Sequence, residues 1–538
     1  MAEFDFIVVG AGSAGCVLAN RLTENGRYTV LLLEAGGSDM SFWIWMPIGY
    51  GKTFYRPSVN WMYSTEPIPQ LDGRVSYWPR GKVMGGSSSI NAMVYIRGQR
   101  EDFEDWKAMG NPGWGWDDVL PYFRKSETND RGSCDVRGGD GPVHVTTLDQ
   151  YLHPLCEDFL QAGEELQFRR NRDFNGVVQE GVGTYQNTAK DGMRMSAARA
   201  YIHPARKRPN LRIEKRALAT RLLFGGKRAV GVSYLQNGVE RQARARREVI
   251  LAAGAINSPQ LLQLSGVGPG ALLRDKGIEV LHAAEGVGRH LQDHLAIDYL
   301  FRSKVPTLNN QLRPWHGKLR HGLHYVLTRR GILSLGVNQA GGFVRSRPEL
   351  TRPNIQLFFS PVSYTKAPPG KRPLMSPDPF PGFLMGAQPT RPTSRGHLEI
   401  RSPDPLAPPA IHPKYLETEF DVQEMLEASK LMRQFAATPA LSRIIESEIL
   451  PGDHIRTDDQ FIADIRARAG TVFHPVGTCR MGPDPAQDVT DARLRVHGLD
   501  GLRVADTSVF PTVTSGNTNA PAIMVGEKAS DIILEDHR

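Results

Sequence analysis

Cysteine is scarce in this chain: four in 538 residues, Cys16, Cys134, Cys156 and Cys479. They lie far apart, with no CxxC pair and no His/Cys metal spacing, so neither a disulfide framework nor a zinc site is expected. Long apolar runs are missing too. The longest uncharged stretch, Val249 to Leu273, carries Asn257, Ser258, Pro259, Gln260, Gln263 and Pro269, which a membrane span rarely holds together. Near the N-terminus, Glu3 and Asp5 stand where a secretory signal places basic residues, and the apolar run after them leads into glycines. A cytoplasmic protein is expected. Charge of one sign is also in short supply, since Lys+Arg 65 against Asp+Glu 57 leaves +8. That excess permits peripheral contact with an anionic surface such as the inner membrane, but it is no signature of nucleic-acid binding.

What remains is a globular composition, 40% hydrophobic and 23% charged, in a chain long enough for two or more domains. The first forty residues hold the strongest pattern. An apolar run, Phe4 to Val9, meets Gly10-Ala-Gly12-Ser-Ala-Gly15 and then a helical stretch, Cys16 to Thr23. A second apolar run, Thr29 to Leu33, ends at Glu34, 19 residues past the last glycine (34 − 15). Strand, glycine turn, helix and acid in this register read as a dinucleotide fold. The glycines let backbone N–H groups approach a pyrophosphate, the helix N-terminus stabilises its charge, and the acid accepts from a ribose hydroxyl. The motif does not separate NAD from FAD, although Glu34-Ala35-Gly36-Gly37 is of a kind frequent in flavoproteins.

Further along, Arg80 to Asn91 is too rich in Gly and Ser for a helix interior and reads either as a long surface loop or as backbone contact to a flat or phosphorylated ligand. Residues 211 to 251 read as a β-meander with a tight turn at Asn237-Gly238, returning to a buried strand at Val249 to Ala253. Nine prolines in 361–396 predict an irregular surface loop, either a cover over a site or a linker. A strand is expected at His397 to Arg401, a helix at Asp421 to Ala437, a buried strand at Leu502 to Ala505, and a last helix opening at Asn519-Ala-Pro521. His474 and Asn517 are the candidates for chemistry in the tail. Each by itself reads as readily as a core histidine or a turn asparagine.

Together these segments resemble one family. The glycine motif with Glu34, the Arg80 to Asn91 segment, Gly254-Ala-Ile-Asn-Ser-Pro through Gly268, Ser394-Arg-Gly396, His474-Pro-Val-Gly-Thr478 and Asn517 are similar, in order, to the signatures of the glucose-methanol-choline (GMC) family of FAD-dependent oxidoreductases. The likeness covers nearly the whole chain and is strongest to the branch of bacterial choline dehydrogenases and aliphatic alcohol dehydrogenases. It implies an α/β fold, a Rossmann-type FAD-binding domain (1–151, 197–296 and 468–538) interleaved with an α+β substrate domain (152–196 and 297–467) built on an antiparallel sheet.

The resemblance also assigns residues. Gly10, Gly12, Ser13, Gly15, Glu34 and Ala35 would hold the ADP half of FAD. Val83, Met84, Ser88, Asn91, Ala92, Met93 and Val94 would line the flavin and ribityl side, with Ala219 at adenine, and Asp506, Asn517 and Thr518 would complete the site. His474 matches the catalytic histidine, and Asn517 matches a second catalytic position. Members that attach FAD covalently carry a histidine at the position of Ile90, so noncovalent FAD is expected here. The implied reaction is oxidation of a primary alcohol to the aldehyde, His474 taking the proton, Asn517 holding the oxygen and a hydride passing to flavin N5. The opening of the last helix would stabilise the reduced flavin's charge. Between Phe301 and Phe380 the only acids are Glu349 and Asp378, which favours a neutral aliphatic or aromatic alcohol over choline. A hydroxynitrile lyase that keeps FAD only structurally is the alternative of another class. The electron acceptor is expected to be oxygen or a quinone, and the protein a monomer or homodimer.

Overall fold

The structure, a computed structural model, describes residues 2–147, 151–364 and 376–538. Its first sheet grows from the apolar runs at the N-terminus. Strand β1 (Ala2–Val9) and strand β2 (Val30–Glu34) pair in parallel around helix α1 (Ser13–Glu24). The sheet is extended by Leu211–Lys215 beside β2 and by Val239–Leu251 and Leu502–Val504 on the other side, all parallel. Every residue of β2 is buried, as strands covered on both faces must be.

The 13-residue strand Val239–Leu251 serves two structures. Its first half closes the expected meander, pairing antiparallel with Arg228–Gln236, which in turn pairs with Ala217–Gly225. Asn237 and Gly238 both have positive φ, 50° and 81°, as a two-residue hairpin whose twist matches its strands requires. Its second half runs parallel to β1, so one strand carries the chain from exposed hairpin to buried sheet.

The second sheet is antiparallel, in the order Ile445–Leu450, Leu295–Ser303, Gly382–Pro389, Ile355–Ser360, Ala340–Val344, Gly181–Thr184. Here the proline-rich reading of 361–396 is corrected. Residues 365–375 lie outside the described residues, but Gly382–Pro389 is an inner strand, not an irregular loop. Its prolines gather before it, at 377, 379 and 381, and at its last residue, leaving the amides of 383–388 free to pair. Helix Glu419–Ala437 covers this sheet.

The last helix, Asn519–Asp536, joins the two ends of the chain. Gly526 lies against α1, where a Cβ would come within 2.9 Å of the Ala14 carbonyl oxygen, and the Glu527 carboxylate accepts from Arg21 at 2.8 Å. This close approach brings the helix's first turn beside the glycine motif, where Ser13 donates to Asn519 Oδ1 at 2.7 Å.

Candidate active site

Carboxyl ends of parallel strands leave a crevice. In this molecule Gly10, Glu34, Ala252 and Asp506, each at or just beyond a strand end, open onto a cavity of about 690 Å³ that reaches His474 and Asn517. Most of the residues singled out from the sequence line it: Gly10, Gly12, Ser13, Glu34, Ala35, Asn91, Ala92, Met93, Val94, Ala219, His474, Asp506, Asn517 and Thr518. Ile90 also lines it.

Four do not. Gly15 faces the sheet, and a Cβ there would meet the Gly10 carbonyl oxygen at 1.9 Å, so this glycine lets α1 pack on β1. Val83 is fully buried with Ile44, Val59 and Ile90, and Met84 is buried in the main core. Ser88 Oγ donates to the Gly85 carbonyl and accepts from the Ala197 amide. These side chains buttress the wall because their packing and hydrogen bonds are satisfied behind it.

The glycine end fits the pyrophosphate side of FAD. Helix α1 opens at Gly12 with no capping side chain and no acid in its first turn, so its positive end is left for an anion. A Cβ on Gly12 would find nothing nearer than the Ala252 oxygen at 3.6 Å, so its absence is cavity rather than packing. Glu34 accepts from the Ala11 amide at 3.0 Å and the Gly36 amide at 2.7 Å, and burial pushes its pKa up to about 7. Thr518, Asn519 and Ala522 put the opening of the last helix on the same cavity. Among the described lining residues, His474 is the only histidine and there is no cysteine.

The other end is built by register. Leu295 pairs with Thr471 and Ala296 with Gly470, while Gln292 exchanges backbone hydrogen bonds with Val476. Two segments held in this way set His294 against His474, with their Nδ1 atoms 3.0 Å apart. His294 Nε2 lies 2.9 Å from the Thr390 carbonyl oxygen. A carbonyl only accepts, so Nε2 carries the His294 proton, and burial pulls the pKa of this imidazole down to about 4, which keeps it neutral. Its Nδ1 is therefore an acceptor, and the proton of His474 sits on Nδ1. The Nε2 lone pair of His474 is left pointing to Asn517, whose Nδ2 is 3.1 Å away. Gln356 donates to Asn517 Oδ1 at 3.3 Å and so holds the amide in the matching orientation.

The backbone at His474 is fixed as firmly. Asp293 accepts from the His474 amide at 2.6 Å, from Thr471 Oγ1 at 2.5 Å and from the Tyr415 hydroxyl, although burial raises its pKa to about 6. Arg80 donates to the Phe473 carbonyl at 3.0 Å. Burial first, then His294 and Arg80, lower the pKa of His474 well below the ordinary imidazole value. The group is thus a neutral base with a defined lone pair. Asp293, His294, Thr390 and Gln356 were not readable as site residues from the sequence. The one signal available was an Asp-His pair directly before a strand in an acid-poor stretch.

Similarity to known proteins agrees with this geometry. The family models of GMC oxidoreductases match residues 4–296 and 392–526. The chain is 44% identical to the alcohol dehydrogenase [acceptor] of Pseudomonas putida, over 99% of this chain and 96% of that one. It is also 44% identical to the mitochondrial choline dehydrogenase of Mus musculus, over 99% and 89%. Among solved structures, pyridoxine 4-oxidase from Mesorbium loti superposes with a TM-score of 0.88 at 30% identity, each chain covered to 99%. Formate oxidase of Aspergillus oryzae RIB40 superposes at 0.92 and 27% identity, covering 100% and 99%. The chain belongs to the GMC oxidoreductase family, flavoenzymes that bind FAD and act on CH–OH donors.

Proposed function

We propose that this enzyme oxidises a neutral primary alcohol to the aldehyde with His474 as the base. The observation that carries the reading is the chain Thr390 C=O, His294, His474, which fixes the His474 lone pair on Nε2 beside the Asn517 amide. Bound noncovalently, as Ile90 in place of a histidine favours, FAD supplies the two-electron acceptor. Substrate oxygen held by Asn517 lies next to Nε2, which takes the hydroxyl proton. As His474 becomes cationic, its Nδ1–H stays on His294, so the ring need not reorient. His474 is 7% exposed, and it lines the cavity beside Asn517.

The charge around the base favours a neutral substrate. Of the two groups that lower the His474 pKa, His294 is held neutral and Arg80 carries the positive charge, and a second positive charge on the substrate is disfavoured beside Arg80. Choline is the second reading. Tyr50, Phe54, Trp61, Tyr77, Phe358 and Tyr364 give the cavity aromatic walls, Asp298 adds a carboxylate, and a choline dehydrogenase is among the similar proteins. Anaerobic addition of primary alcohols or choline, followed at the oxidised flavin band, separates the readings. Bleaching by simple alcohols at higher kcat/KM than by choline supports the first reading, and the reverse order replaces it with the second. A flavin that never bleaches while cyanohydrins are cleaved makes the protein a lyase. Steady-state turnover in oxygen against a soluble quinone identifies the acceptor.

A further inference from the structure

One helix of the second half is turned inside out. In Trp315–Thr328 the apolar side chains Trp315, Leu319, Leu323, Val326 and Leu327 recur at helical spacing and form one stripe. That stripe faces outward: the five are 76%, 63%, 56%, 51% and 72% exposed. The inward face is made by Gly317, where a Cβ would meet the Gln311 carbonyl oxygen at 2.0 Å, and by buried Tyr325, whose hydroxyl donates to Gly192. The helix is therefore seated by its narrow face, and among the described residues its broad apolar face covers nothing. Phe42, itself exposed, packs edge-on against Tyr325 with ring centroids 6.2 Å apart, so the exposed side chains of Met40, Phe42 and Trp43 lie beside the helix.

The charge of this segment has one sign, and the nearest exposed acid, Asp191, stands at the helix's C-terminal end, where Gly192 meets Arg329. Residues 299–348 contain no Asp or Glu, while Arg313, Lys318, Arg320, Arg329 and Arg330 stand in or flank the helix. Lys318 and Arg320 border the two sides of the apolar stripe, both exposed, and among the described residues neither takes part in an ion pair.

We propose that this face docks on an anionic lipid bilayer, the apolar stripe entering the interface and the cations meeting lipid headgroups. A second copy of the chain is the poorer occupant, since two such faces would oppose cation to cation. The helix would lie on the membrane, and no helix among the described residues is long and apolar enough to cross one. The location has a use in turnover. The elements that flank the helix pack in one cluster with Tyr50 and Ala92, which line the active-site cavity, so docking places the cavity wall near the lipid phase where a lipid-soluble acceptor or alcohol resides. The inference is independent of which alcohol is oxidised.

The test is sedimentation of the FAD-loaded full chain with vesicles of phosphatidylcholine, alone or mixed with phosphatidylglycerol, at physiological and at high salt. The expected result is roughly tenfold greater binding to the anionic vesicles, weakened by salt. Lys318→Glu with Arg320→Glu should remove that preference, and Leu319→Ser with Leu323→Ser should remove binding to both compositions. Both variants should keep wild-type turnover with a water-soluble acceptor. If the leucine variant misfolds, the charge variant carries the test by itself. Absence of anionic preference in the wild type, or its survival in the charge variant, overturns the proposal. So does a stable dimer that the leucine variant dissociates, which would assign the face to a second copy.

Discussion

The two ends of the active-site cavity are built differently. At the glycine end the wall is backbone and small residues, most of them from the strand–turn–helix–strand unit that runs to Glu34, with Ala252, Asp506 and the opening of the last helix completing it. At the base end it is side chains held by partners far away in sequence: His474 by Asp293 and His294, 181 and 180 residues off, and Asn517 by Gln356, 161 residues off. The glycine turn and Glu34 at the first end follow from the local path of the chain. The second exists only when the antiparallel sheet is in register, because a slip of one residue would turn His294 away from His474.

Variants can break that contrast. The largest effect belongs to His474→Ala, which should lower kcat by about 10²- to 10⁴-fold while FAD stays bound; a yellow protein with intact turnover in stopped-flow reduction would remove His474 as the base. Next comes Gly12→Val at the other end. Its side chain enters the cavity with no packing clash behind it, so an overpacking cost of about 1–3 kcal/mol should fall on the cofactor, weakening FAD roughly 5- to 150-fold with the apoprotein's Tm unchanged. Gly15→Ala is the counterpart, since its Cβ strikes the Gly10 carbonyl, and it should lower Tm itself. Equal thermal shifts in the two variants would erase the distinction between cavity and packing glycines.

His294→Leu tests the register-built end. With the Nδ1 acceptor gone, the His474 tautomer is no longer imposed, and kcat should fall about tenfold with KM little changed. A change in KM alone would mean that His294 shapes the pocket and does not orient the base. The smallest effect is on pH. An imidazole of ordinary pKa, about 6.5, would be half protonated at that pH. Because His474 is lowered well below it, the base is already neutral there, and kcat/KM should change less than about twofold between pH 8 and 6.5. Activity is lost only as the pH falls through the lowered value. The same group takes a proton more readily in the unfolded chain, so its contribution to stability is present above 6.5 and is lost on further acidification.

Much of this was legible beforehand. β1, α1, β2, the meander with its Asn237-Gly238 turn and the last helix follow from periodicity and turn chemistry, which act over a few residues. The proline-rich stretch misled because proline content was averaged over 36 residues (361–396), whereas pairing depends on which individual amides are missing, and 383–388 has them all. Val83, Met84 and Ser88 were placed at the cavity because a motif gives position along the chain and not the direction in which a side chain points.

The sequence by itself determined the cofactor fold, the identity of the base candidate and the absence of a histidine at Ile90, since each is a property of residue type and short spacing. Tertiary structure alone decided which nitrogen of His474 carries its proton, that Gly12 opens the cavity while Gly15 closes a packing contact, and that the apolar face of Trp315–Thr328 looks outward. Those outcomes depend on which distant groups are brought within hydrogen-bonding or van der Waals range, and helical spacing is the same whether a stripe faces a core or a membrane.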